Sequence, residues 1–195
     1  MDANIYAPPK AAVVEPDSAI EARHPFYVVS TRKFTTLFLA TLGIYVVFWF
    51  YLNWRRYKTA TGASVLPAVR AVFSVFFVHA LFRAVDETAA ERGVAHRWPR
   101  QAIATQMVVF LILANMMDRM SAKGLWAPYA DLLSFVCIPV IALLGVQAQG
   151  AINAACGDPA GRSNSTFSKA NIFWIVLGGL LWVLAIIGLV EVVMH

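Results

Sequence analysis

The sequence is short of charge. Lys, Arg, Asp and Glu make up 14% of its 195 residues while 59% are hydrophobic, and a soluble domain carries about a quarter charged residues. That shortage argues against a water-soluble globular fold of this length. The apolar excess has no polar shell to cover it, so lipid must serve as part of the solvent. Cysteine is scarce too. Cys137 lies inside an apolar run and Cys156 just beyond one, which is no disulfide framework and reads as two reduced or lipid-buried thiols. The recurrent chemical signatures are missing: no His-Glu-x-x-His, no phosphate-binding loop, no Gly-x-Ser-x-Gly and no Cys-x-x-Cys-His. His24, His79, His96 and His195 are scattered without paired spacing, so neither a metal nor a cofactor is expected.

What the chain does have is apolar length. Four runs stand out, at residues 34–53, 101–119, 128–151 and 171–193, and about 20 residues suffice to cross the hydrocarbon core. A fifth candidate, residues 66–93, is interrupted by Arg70, His79 and Arg83, opens near Pro67 and ends at Gly93. It reads as one long amphipathic helix lying on or dipping into the interface, with a full span as the other reading. The expected fold class is therefore an all-α integral membrane protein, a helical bundle of three or four full spans plus an interfacial amphipathic helix. Residues 1–32, with Pro8, Pro9, Pro16 and Pro25, read as a flexible N-terminal tail. Within it, "FYVVST" at 26–31 supports no more than docking on the membrane surface. Residues 33–195 read as a single transmembrane domain. The first apolar run is followed by others and is expected to stay in the mature protein.

The net charge of +5 points to a bilayer with anionic headgroups as partner, and nucleic acid is not expected. Arg55, Arg56, Lys58, Arg70, Arg83, Arg92, Arg97 and Arg100 all fall between the first two long runs. The positive-inside rule places segment 54–100 in the cytoplasm, residues 120–127 outside and residues 152–170 inside. The run 34–53 leaves two readings. A full span strands Arg32 and Lys33 outside. A re-entrant turn at "TLGIY" keeps them with the other basic residues. Length supports the span, and one Gly is ordinary in a membrane helix.

The stretch "KFTTLFLATLGIYVVFWFYLNW" resembles the opening helix of a group of uncharacterised bacterial inner-membrane proteins. The shared pattern falls on Lys33, Phe34, Leu37, Thr41, Gly43, Tyr45, Trp49, Tyr51, Asn53 and Trp54. "NIFWIVLGGLLWVLAIIGL" resembles the closing helix of such proteins. The resemblance implies a multi-pass protein of the bacterial cytoplasmic membrane and implies no activity.

Four groups of residues are candidates for function. Trp49, Tyr51, Trp54, Arg55, Arg56, Tyr57 and Lys58 form an interfacial cluster, read as a helix anchor or as a selective site for an anionic headgroup. His79, Arg83 and Asp86, at i, i+4 and i+7, share one helical face. They read either as the solvated edge of an amphipathic helix or as a site for a phosphate or carboxylate ligand, with Asp86 orienting Arg83. Ala142, Gly145, Gln149, Asn153 and Cys156 form a stripe beyond Pro139, which is expected to kink the helix. Gln101, Thr105, Asn115 and Arg119 form another, and Gly178, Leu181, Ala185 and Gly188 a third. The three stripes are expected to face one another as helix glue, with a polar cavity lined by Gln149, Asn153 and Asn115 as the functional alternative. "DPAGRSN" at 158–164 lacks the far bidentate acid of a calcium loop, and Met107, Met116, Met117 and Met120 read as core or lipid-facing residues.

The leading functional expectation is a non-enzymatic accessory or interaction subunit, with a homo-oligomer or another membrane protein as partner. The alternative is a small transporter or lipid-binding protein using His79, Arg83 and Asp86, or Gln149 and Asn153. A headgroup-modifying enzyme with His79 as general base has the least support.

Overall fold

The structure, a computed structural model, describes residues 24–194. Among them the chain is helical, with no strand. The helices are α1 (Thr31–Ala40), α2 (Tyr45–Thr61), α3 (Pro67–Val72), α4 (Ser74–Glu91), α5 (Arg100–Ser121), α6 (Tyr129–Ala155) and α7 (Lys169–Met194), with a 3-10 turn at Arg162–Asn164. Helices α5, α6 and α7 are long and apolar enough to cross a membrane, and they take up the runs at 101–119, 128–151 and 171–193. Pro139 lies inside α6 without ending it.

Helices α5 and α6 pair closely and antiparallel. Near their connection the Ser121 hydroxyl donates to Asp131 and the Ser134 hydroxyl to Asp118. That connection marks the distal end of the bundle. The start of α5, the end of α6 and the start of α7 lie at the proximal end.

The run 34–53 is two helices, so the reading of it as one continuous span does not hold. Leu42 (φ 52°) and Gly43 (φ 83°) adopt left-handed backbone, which only glycine takes without strain. The Thr41 hydroxyl donates to the Leu37 carbonyl at 2.8 Å and accepts the Tyr45 amide at 3.1 Å. One side chain thus closes α1 and opens α2. The Phe34 ring lies 5.8 Å from that of Tyr45 and 5.6 Å from that of Trp49. Before α1, Phe26 stacks on Tyr57 of α2 at 5.6 Å. The chain therefore returns to the end it entered from, as a helical hairpin. A 10-residue helix such as α1 is about 15 Å long, half the roughly 30 Å of a hydrocarbon core. The tip faces the middle of α7. A Cβ on Gly178 would stand 2.0 Å from the Ala40 carbonyl oxygen, and Trp182 Nε1 donates to the Leu39 carbonyl at 2.8 Å.

Residues 66–93 also divide, at Phe73 (φ −97°, ψ 36°), where α3 ends and α4 begins. Helix α3 packs on α2, and the Arg70 guanidinium lies 4.1 Å from the Trp54 ring centroid and 5.0 Å from that of Phe77. Helix α4 buries Val78, Leu81, Phe82 and Val85 against α5 and α6 and leaves Phe76 exposed. It is an amphipathic helix whose apolar face meets protein.

Candidate functional site

The organising feature precedes the first helix. Residues 24–30 form a strap through the proximal end of the core, with Phe26, Tyr27, Val28 and Val29 all buried. This corrects the expectation of a tail over 1–32 for residues 24–32. The part of that tail at 1–23 lies outside the described residues. Buried non-helical backbone needs partners for its N–H and C=O groups, and in a helical bundle no neighbouring strand supplies them. Side-chain amides do. Asn53 Oδ1 accepts the Tyr27 amide at 3.1 Å, and Gln149 Nε2 donates to the Tyr27 carbonyl at 3.0 Å. Asn153 meets both groups of Val29, accepting its N–H at 3.3 Å and donating to its carbonyl at 2.9 Å. Asn164 Nδ2 donates to the Val28 carbonyl at 2.9 Å. An amide both donates and accepts, so it can pair a peptide group as another peptide would.

The clamp is tied together internally. Trp49 Nε1 donates to Gln149 Oε1 at 2.5 Å, Asn53 Nδ2 to the Trp49 carbonyl at 2.8 Å, and Gln149 Nε2 to Asn153 Oδ1 at 2.7 Å. Lys33, also buried, donates from Nζ to Asn164 Oδ1 at 2.7 Å and to the Thr166 carbonyl at 2.8 Å. Burial holds its pKa below the ordinary 10.5, because a desolvated ammonium is costly. Cys156 lies under the strap, its Sγ 3.9 Å from the Phe26 carbonyl. Burial pushes its thiol up to about 11. Nearby, the Asp158 carboxylate accepts the Ser163 and Arg162 amides. Burial works to raise its pKa, but those backbone bonds outweigh it and the net direction is downward.

The structure brings Gln149 and Asn153 together, with their polar atoms spent on the strap, on Trp49 and on each other. Asn115 does not join them. It is exposed on α5 and accepts from Arg119 Nε at 3.2 Å. The polar cavity imagined for these three residues is replaced by the protein's own backbone. The three stripes do not face one another either. The α6 stripe faces the strap and α1, where a Cβ on Gly145 would come within 2.6 Å of the Phe34 ring. The α7 stripe meets the hairpin tip through Gly178, and Gln101, Thr105, Asn115 and Arg119 are exposed.

The trio does not act as a unit. Asp86 pairs with Arg100 Nε at 2.8 Å and accepts from Trp98 Nε1 at 2.6 Å. His79 Nε2 meets Thr105 Oγ at 3.2 Å, and Arg83 is exposed. Partners on and just before α5 draw two of the three apart. Nor does the aromatic and basic cluster lie on one surface. Trp49, Trp54 and Arg56 are buried, with Arg56 Nη1 donating to the Phe26 carbonyl at 3.4 Å. Tyr51, Arg55 and Tyr57 are half-buried and Lys58 is exposed.

The sequence reading missed Asn53, Asn164 and the strap itself. An Asn inside an apolar helix and the β-branched "YVVST" were the available signals. Among the described residues, two open clefts stand out. One, of about 500 Å³, lies beyond the hairpin tip towards the distal end and is lined by Gly43, Asn115, Asp118, Asp131 and Ser134 among others. The other, of about 590 Å³, is almost wholly apolar and lies between the hairpin, α3 and the start of α7. Among the described residues no group of three or more His, Cys, Asp or Glu could hold a metal.

Fold and clamp together define a class: a helical protein with three helices of spanning length and apolarity, built around a helical hairpin with one half-length arm, fastened by amide side chains. No protein-family model, curated protein or solved structure matches the chain.

Proposed function

We propose that the chain is a non-enzymatic accessory subunit of the bacterial cytoplasmic membrane, with α5, α6 and α7 spanning and the α1–α2 hairpin entering from the cytoplasmic side. The observation that carries the subunit reading is the isolation of α7. Of its 26 residues only Gly178 is buried. It packs mainly on α1, with Trp182 stacked on Phe135 of α6. Its other faces present Val176, Leu180, Val183, Leu184 and Ile187, all exposed, as a surface for lipid or another helix. The orientation rests on charge. Arg55, Lys58, Arg92, Arg97, Arg162 and Lys169 gather towards the proximal end, against Arg119 and Lys123 towards the distal end. The resemblance of Lys33–Trp54 to bacterial inner-membrane proteins supports the same compartment.

Two measurements test it. Ala60→Cys should react with a membrane-impermeant maleimide only from the cytoplasmic face, and Ala122→Cys only from the opposite face. A photo-crosslinker at Leu184, on α7, should trap one reproducible protein or a second copy in cells, whereas one at Val109, on α5, should not. Lipid adducts alone at Leu184 would sink the subunit reading while leaving the topology intact.

A further inference from the structure

The apolar cleft of about 590 Å³ has a direction. Its inner end lies at Thr41 and Ile44, by the hairpin tip. Phe48 and Tyr51 of α2, Val72 of α3 and Trp174 of α7 continue it towards the proximal end. No acidic residue lines it. Phe48, Val72 and Trp174 are 49%, 69% and 50% exposed, so none of the described residues covers this wall.

The mouth is cationic on two sides. On α2 the groove residues Phe48 and Tyr51 are followed on the same helical face by the exposed Lys58, at i+10 from Phe48. On α7 the groove residue Ala170 is preceded by Lys169. Lys169 opens a 26-residue helix whose start is already capped, the Ser168 hydroxyl accepting the Asn171 amide at 3.2 Å, so the Lys169 charge and the helix dipole are what favour an anion there. An apolar trough that ends in basic groups matches an amphiphile of the reverse pattern.

We propose that this groove binds one acyl chain of an anionic phospholipid from the proximal leaflet, with the lipid phosphate held by Lys58 and Lys169. The chain gains little by leaving other lipid tails, which are as apolar as the groove. Selection therefore comes from the headgroup charge at the mouth. The inference goes beyond the subunit reading and needs only the membrane placement on which that reading also rests.

The test uses the full chain, purified in mild detergent and given phosphatidylglycerol or phosphatidylcholine of identical chains, with retained lipid read by native mass spectrometry. One phosphatidylglycerol should survive detergent that strips surrounding lipid, with an apparent affinity about tenfold or more above that of phosphatidylcholine. Lys58→Gln with Lys169→Gln, both at exposed positions, should remove that preference and leave phosphatidylcholine retention unchanged. Ala170→Trp, which fills the mouth, should abolish retention of both. Equal retention of the two lipids by the wild-type chain would overturn the proposal, as would undiminished phosphatidylglycerol binding in Ala170→Trp. The maleimide measurement separates the two failures: correct topology with no lipid preference sinks this site alone, and wrong topology sinks the membrane placement.

Discussion

The indole nitrogen of Trp49 donates to the side-chain carbonyl of Gln149, 100 residues further along the chain. Both residues are fully buried. The same amide reaches the Tyr27 carbonyl, so one side chain joins the hairpin, α6 and the strap. Replacing Gln149 with Leu keeps the volume but leaves Trp49 Nε1 and the Tyr27 carbonyl without this partner. Each orphaned buried group costs about 1–3 kcal/mol, so Gln149→Leu should lose about 2–6 kcal/mol. Thermal unfolding in detergent, followed by tryptophan fluorescence, reads this directly. An unchanged midpoint would mean that the clamp contributes nothing to stability.

Cys156 reports on the strap. Its thiol is covered by the Phe26 backbone and pushed up to about 11, so in a Cys137→Ala background it should react slowly with a neutral maleimide at pH 7. Asn153→Ala strips both bonds from Val29. Labelling of Cys156 in that variant should then rise by about tenfold or more, as local opening becomes easier by at least about 1.4 kcal/mol. Equal labelling rates would show that the strap is held by its apolar side chains alone.

The two glycines in the middle of α7 should behave oppositely. Gly178 has the Ala40 carbonyl where its Cβ would go, at 2.0 Å, while Gly179 has nothing within 4 Å. Gly178→Ala should destabilise the protein by about 1–3 kcal/mol, the usual range for forcing atoms into a close-packed contact. Gly179→Ala should be neutral or stabilise by up to about 1 kcal/mol through helix propensity. Melting curves of the two variants side by side decide it.

Lys33 predicts a pH dependence. Its pKa is lowered in the folded chain by burial, so the unfolded chain binds more protons between the lowered value and 10.5, and stability must rise with pH across that alkaline window. As pH falls through the folded value, that contribution is lost. Lys33→Met should remove this part of the slope of melting temperature against pH. A variant with an unaltered slope would show that the ammonium is not desolvated.

The parts of this architecture that could be read from sequence are those written locally. The three long helices declare themselves by apolar length, and α6 continues through Pro139, which stands exposed on its surface. The break at Gly43 was visible as one of two readings, since a single glycine neither requires nor forbids a turn. What decides it is the left-handed backbone of Leu42 and the two hydrogen bonds of the Thr41 hydroxyl, neither of which has a pattern. The strap was hidden for a different reason. "FYVVST" has no internal means of satisfying its backbone, and the groups that do so stand at Asn53, Gln149, Asn153 and Asn164. His79, Arg83 and Asp86 do share a helical face as their spacing requires, but Thr105, Trp98 and Arg100 engage two of them, and a one-dimensional pattern cannot name competitors on another helix.

The pairing of Val29 with Asn153 spans 124 residues, and that separation sets an order of events during synthesis. At roughly 5–20 residues per second, the ribosome takes roughly 6 to 25 seconds to make Asn153 after Val29. For that interval the N-terminal helices exist without the amides that fasten them. The hairpin cannot reach its final form as it emerges. It must wait until α6 arrives to lock it, so the strap and hairpin, made well before α6, are finished only after it.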